Sequence, residues 1–346
     1  MSSSNIDPGT VEDPIKYFLT DISYQGKSDR TQDAYERVLR DFEQFLTEDG
    51  DSKTGSIKTV SHRDCMAWIH EQRDDSAEST VATYASYLHR FYSYMTQVGV
   101  FDSNPMAIVM EELDESIDTD PARRDLSIAD MRGLVDSVSH PLEHALILTL
   151  LKTGMRVGEL CNLDQRDLHL ADDPRTDIVI RPNLDQRPDS LYVSSEPQRG
   201  AVVNSDRRSA SNKRRRDTVI PVDTELARAL EDWLDIRPDP LSDAQPLFTS
   251  TADNWGKRVT TDAVHHIVTS RAKDRGWYDS GRNAEQNVTP HYFRHFFTTH
   301  LRDRTGDRGI VKYLRGDVAE DIIDTYTHDW GDRVRTVYEA NIYQLR

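Results

Sequence analysis

The sequence predicts a mainly α-helical protein of two domains, with a small antiparallel β-sheet in the second, on three observations. The first hundred residues carry apolar side chains at helical spacing and show no strand alternation. A strongly acidic, proline-containing stretch follows. The only β-like runs then cluster between residues 177 and 222.

In the first domain Tyr35, Val38, Leu39, Phe42, Phe45 and Leu46 fall on one face of a helix beginning near Thr31. Val81, Tyr84, Leu88, Phe91, Tyr92 and Met95 repeat the pattern as far as Gly99, a suitable C-cap. Shorter helices are expected over Pro14–Thr20 and His62–Arg73. Residues 1–110, ordered from residue 11 onward, therefore read as an all-helical domain. The segment EELDESIDTDPARR, residues 111–124, sets Glu111, Glu112, Asp114, Glu115, Asp118 and Asp120 before Pro121, and reads as an exposed, extended linker.

Residues 125–346 form the second domain. Ser127 and Asp130 have the spacing of a capping box. Leu142–Thr153 is apolar nearly all round and so belongs at the centre of a core. Strands are expected over Asp177–Ile180, Leu191–Ser194 and Thr218–Val222. Helices are expected over Thr224–Leu234, Asp262–Lys273, His291–Arg302 and Val334–Tyr343, the last within a tail helix spanning 331–346.

The 346 residues include 60 Asp and Glu against 43 Lys and Arg, a net charge of −17. Residues 1–120 alone carry −14. That balance argues against a polyanionic partner. Two features argue the other way: the bases are 34 Arg and only 9 Lys, and the acids are spread along the whole chain. Such a surface suits work in molar salt, where charges are screened within about 3 Å; the alternative is an ordinary acidic protein. The window 271–315 holds ten bases against five acids. Two cysteines, Cys65 and Cys161, exclude a disulfide scaffold and fit a reducing compartment. The longest apolar run, Ala145–Leu151, is too short for a bilayer, and the first ten residues lack the pattern of a secretory leader. A cytoplasmic protein without a membrane partner is expected.

Four segments carry chemistry. In TGMRVGEL, Arg156 follows a helix-ending Gly154 and Glu159 lies within bracing distance, although a turn with a solvated Arg reads the same way. SNKRRRDTVIPV runs a basic stretch into a strand, either a solvated loop or a hairpin setting Lys213 beside a phosphate. In TPHYFRHFFTTHL, His291, Arg294 and His295 share a helix face. Two histidines four apart suggest a metal, but no Glu follows the first and Arg294 would set a cation among the ligands. LRGDVAEDIIDTYTHDW holds Tyr326 and His328 in a polar context, where half-buried structure is the simpler account of the tyrosine.

In this order the four segments resemble the tyrosine recombinase (phage integrase, Xer-like) family over nearly the whole chain. The helical first domain, with its T-x-x-x-Y-x-x-x-L-x-x-F pattern from Thr31, resembles the family's SAM-like core-binding domain. The resemblance implies an α+β catalytic domain in the second half. It assigns the first catalytic arginine to Arg156, its support to Glu159, and the lysine, eight residues before Pro221, to Lys213. It further assigns the acid–base histidine and second arginine to His291 and Arg294, and the nucleophile to Tyr326. One position departs: Asp317 stands where the family usually has His, a donor to the phosphate. An ionised Asp only accepts, so either it turns away, with His295 or His328 substituting, or the site is impaired.

The implied reaction cuts and rejoins double-stranded DNA through a 3′-phosphotyrosyl intermediate. Two guanidiniums bind the non-bridging oxygens, which requires no metal, and bond energy is conserved, which requires no ATP; the sequence holds no G-x-x-x-x-G-K-[ST] loop and no cofactor is expected. Arg214, Arg215, Arg216, Arg271 and Arg315 are expected on the DNA, and a homotetramer docked through the C-terminal tail is implied, with packing of the tail on its own domain as the alternative. Two other functions stay open: a DNA-binding protein of this fold with an inactive site, suggested by Asp317, and a type IB topoisomerase, disfavoured by the helical first domain.

Overall fold

The structure, a computed structural model, describes residues 11–25, 27, 29–48, 55–115, 123–172, 178–280, 282, 286–317 and 330–346. Tyr326, His328 and the acidic residues Asp118 and Asp120 lie outside them. The chain divides into two compact units, Met1–Pro121 and Ala122–Arg346.

The first unit is built of α1 (Pro14–Tyr24), α2 (Asp29–Glu48), α3 (His62–Asp75), α4 (Glu78–Gln97) and α5 (Met106–Glu111). Local chemistry sets their starts. Asp13 caps α1 by accepting from Lys16 N, with Pro14 in the first turn. Ser61 and Asp64 form a reciprocal capping box on α3. The apolar faces meet in an aromatic core in which Phe18 packs edge-on against Phe91 at 5.4 Å and Phe42 edge-on against Trp68 at 5.4 Å. The one buried indole donor is satisfied by Asp41 (3.1 Å). The unit extends past residue 110: Leu113 packs on this core and Glu115 pairs with Arg73.

The second unit holds α6 (Ile128–Asp136), α7 (Pro141–Thr153), α8 (Val157–Cys161), β1 (Leu168–His169), β2 (Ser190–Val193), β3 (Val202–Val203), β4 (Asp206–Arg207), β5 (Thr218–Pro221), α9 (Thr224–Ile236), α10 (Thr261–Lys273), α11 (Pro290–Thr305), α12 (Arg308–Arg315) and α13 (Trp330–Asn341). As its composition requires, α7 is buried along almost its full length, between α9 and α11. Strands β1, β2 and β5 form an antiparallel sheet in that order, with Leu191 opposite both Leu168 and Ile220. Residues 178–180 are not a strand: Val179 is 88% exposed and has no core face to bury against. Instead β3 and β4 make a small hairpin whose turn residues Asn204 and Ser205 both have positive φ. The hairpin is tied down by buried charge. Asp164 accepts from Arg208 (2.8 and 3.0 Å) and from Arg258 (2.5 Å), and Arg258 also binds Asp206 (2.6 Å). Both cysteines are buried, and burial pushes each thiol up to about 12.

The C-terminal residues close on their own unit. The helix stops at Asn341 rather than running to 346, and Val334, Tyr338, Ile342, Tyr343 and Leu345 are buried in the core that contains α7. A fully buried Lys152 holds them. Its Nζ lies 2.7 Å from Asp223 Oδ2 and 2.5 Å from Glu225 Oε2, and donates to Tyr343 O (2.5 Å). Leu345 N in turn donates to Glu225 (3.0 Å), and the Tyr338 hydroxyl donates to Lys152 O (2.9 Å). Removing one member of a buried ion set strands the others. Lys152→Ala is expected to lower unfolding free energy by about 3–5 kcal/mol, read from denaturant midpoints; a loss under about 1 kcal/mol would contradict this account of the C-terminus.

Candidate active site

Two glycines bring the motifs together. Gly154 ends α7 at φ +60, and a Cβ there would run into the Phe297 ring of α11, so the turn carrying Arg156 lies directly on α11. Gly316 ends α12 at φ +71, and a Cβ there would meet the stem of Arg214. The ends of α7 and α12 and the first turns of α11 thus converge.

Arg156 caps α8. Its backbone N–H and its Nη1 both donate to the Glu159 carboxylate (2.9 and 3.0 Å), Nη1 reaches Lys213 O (3.3 Å), and Nη2 donates to Asp317 Oδ1 (2.8 Å). Arg294 comes up from α11 almost fully buried. Its Nη1 donates to Gly154 O (2.7 Å) and Arg315 O (3.0 Å), and its Nη2 to Asp317 Oδ2 (2.8 Å). Arg315, the last residue of α12, adds Nη2 to the same Oδ2 at 2.9 Å. Three guanidiniums from three elements thus meet on one carboxylate.

The electrostatics follow. Burial works to raise the Asp317 pKa, but Arg294, Arg315 and Arg156 outweigh it and hold the group below the ordinary carboxylate value. Burial and the neighbouring Arg156 bring Arg294 down to about 10, so it stays charged at neutral pH. His291, exposed in the first turn of α11, is lowered by partial desolvation and then by Arg123, Arg294, Arg315 and Arg156. It is a neutral imidazole set among cations, which is the state a proton acceptor needs. His295 is lowered in the same way, with its Nδ1 3.5 Å from Arg123 Nη1.

Of the basic residues expected on DNA, Arg214 is corrected. Its side chain is fully buried and turned inward, with Nη2 on Glu159 Oε2 (3.2 Å) and Nη1 on Leu314 O (3.0 Å). A guanidinium beside the buried Glu159 carboxylate has an acceptor there that a solvated surface cannot better. Arg216 lies over the Tyr313 ring at 4.7 Å, and Arg271 pairs with Glu143 at 2.6 Å. Lys213 and Arg215 are exposed. The segment leading to Lys213 is pinned to α8, where Asn162 Nδ2 donates to Ala210 O (2.9 Å) and Asn212 Oδ1 (2.8 Å). Arg123 was not foreseen. Its only sequence signal is the Arg pair that closes the acidic stretch. Among the described residues, no group of three or more His, Cys, Asp or Glu side chains is placed to hold a metal, and no helix is long and apolar enough to cross a membrane.

Comparison with known proteins shows the family and the fold. Residues 129–331 match the phage integrase family, and residues 15–99 match the phage integrase N-terminal SAM-like domain. The tyrosine recombinase XerC of Pelobacter propionicus is 24% identical over 90% of this chain and 89% of its own. The fold is similar to the Tn1549 transposon integrase in complex with a circular intermediate DNA (TM-score 0.64, 18% identity, 94% of this chain and 98% of that one). It is also similar to a lambda integrase tetramer bound to a Holliday junction (TM-score 0.60, 15% identity, 92% and 84%). The chain belongs to the phage integrase family. It is a site-specific tyrosine recombinase.

Proposed function

We propose that this recombinase cuts and rejoins duplex DNA through a 3′-phosphotyrosyl intermediate formed by Tyr326, without metal or ATP. One observation carries the reading: Arg156 and Arg294, far apart in the chain, each deliver Nη2 at 2.8 Å to a different oxygen of a single carboxylate. The two carboxylate oxygens stand in for the non-bridging oxygens of a phosphodiester. Guanidiniums fixed in that geometry stabilise the charge that builds up as phosphorus is attacked. Glu159 keeps Arg156 in place.

A phenol with an ordinary pKa of about 10 is a weak nucleophile at neutral pH. In this proposal neutral His291 takes its proton, while Lys213 gives a proton to the departing 5′ oxygen. The phosphotyrosyl bond then holds the energy of the broken strand, so a 5′ hydroxyl from another end re-forms DNA and releases Tyr326. Arg215 and Arg315 would contact the DNA backbone. A homotetramer on DNA belongs to the same proposal, supported by likeness of fold to the lambda tetramer; the slot around Lys152 that holds Tyr343 is where a neighbour's tail would be received in exchange. The acidic excess and the preference for Arg over Lys support a protein adapted to high salt.

Three outcomes test this. A duplex nicked beside the cleavage site should trap the protein covalently, and Tyr326→Phe should abolish the adduct while leaving binding intact; binding with no adduct from the unaltered chain would favour the inactive-site reading. His291 acts as a base only while neutral, and its pKa is lowered, so single-turnover cleavage should hold as the pH falls to 6.5, the ordinary histidine value, and should decline only at a more acid pH. An acid limb above 6.5 would exclude His291 from the role. Dialysis into dilute buffer should cost helical circular dichroism that molar salt restores; a fold indifferent to salt would count against the adaptation.

A further inference from the structure

We propose that the phosphate site of this enzyme is a cradle of three arginines, Arg315 being the third, and that the Asp317 carboxylate is its built-in occupant, which a DNA phosphate must displace. This rests on the recombinase reading above and goes beyond it on two points: Arg315 acts at the scissile phosphate itself and not merely along the DNA backbone, and an anion of the chain competes with the substrate.

The geometry is that of a bound anion. Both Asp317 oxygens are engaged, Oδ1 by Arg156 at 2.8 Å and Oδ2 by Arg294 at 2.8 Å and Arg315 at 2.9 Å. A carboxylate and a phosphodiester are both acceptors that gather the same donors, and two anions cannot share one set of Nη2 atoms. Two of the three arginines do not need Asp317 to hold their place. Arg156 is held by Glu159, and Arg294 by the carbonyls of Gly154 and Arg315. Departure of the carboxylate would leave the Arg156 and Arg294 donors aimed at the same point, with Arg315 beside them free to follow the incoming anion.

Arg315 offers more than the carboxylate uses. Its Nε, on the same edge of the guanidinium fork as Nη2, is buried and has no acceptor among the described residues. Beyond the two oxygens that a carboxylate matches, a phosphodiester has its ester oxygens and inorganic phosphate has a third non-bridging oxygen. Asp317 itself sits immediately beyond the C-cap of α12, its N–H bonded to Lys312 O (2.9 Å), and is a third exposed. Rotation of one short side chain toward solvent therefore empties the cradle without moving a helix.

The probe is inorganic phosphate, titrated calorimetrically at fixed ionic strength into the unaltered chain, Asp317→Asn and Asp317→Ser. If the carboxylate fills the cradle nine-tenths of the time, removing its charge tightens phosphate binding about tenfold. Adding Arg315→Leu to Asp317→Asn should reverse that gain. Unchanged or weaker phosphate binding in both single variants, each confirmed folded by its thermal transition, overturns the proposal, as does a gain that survives Arg315→Leu. The nicked duplex is run in parallel to separate this from the recombinase reading. Tightened phosphate with no covalent adduct from any form upholds the cradle and rejects recombination. A Tyr326-dependent adduct with phosphate affinity indifferent to Asp317 rejects the cradle alone.

Discussion

The arrangement depends on charge compensation by one buried carboxylate. Guanidiniums drawn together at a common point repel one another, and each loses hydration as it is enclosed. Glu159, with no exposed surface, answers two of them at once, taking Arg156 on one side and Arg214 on the other. Through Arg156 it fixes the turn after α7. Through Arg214, which also donates to Leu314 O, it fixes the end of α12. A small change at this one residue would be felt at three of the elements that converge on the site.

Much of this was legible in the chain, and the limits have physical causes. Helices α2, α4 and α9 announce themselves because each buries one face, and a face leaves a period in the sequence, while α7 does so by being apolar nearly all round. Strands β1, β3 and β4 do not, since a two-residue strand is defined by its partner and not by any pattern of its own. Helix α12 was missed although Asp307 and Gly316 bracket it with good caps. Three of its eight residues are basic, and these drew attention as charge and not as structure.

The site shows the same division. Arg156, Arg294 and His291 stand in spacings that a reader can find; the two arginines meet on Asp317, and their charges act on His291. Lys213, Arg214 and Arg215 are consecutive, yet the outer two are exposed and the middle one is buried, because an extended chain sends neighbours to opposite sides. Composition cannot say which side faces Glu159. Asp317 was read as a group either turned away or harmful. It is not turned away but faces inward, onto the arginines, an arrangement that only the meeting of α8, α11 and α12 could reveal.

The pinned hairpin has a practical consequence. Asp164, Arg208 and Arg258 lock its base, while the turn at Asn204 and Ser205 makes no part of the arginine cluster. Both native thiols are enclosed and poorly ionised. A single cysteine introduced at the turn would thus be the one group to react with a maleimide dye, giving a fluorescent reporter attached to the segment that leads into Lys213.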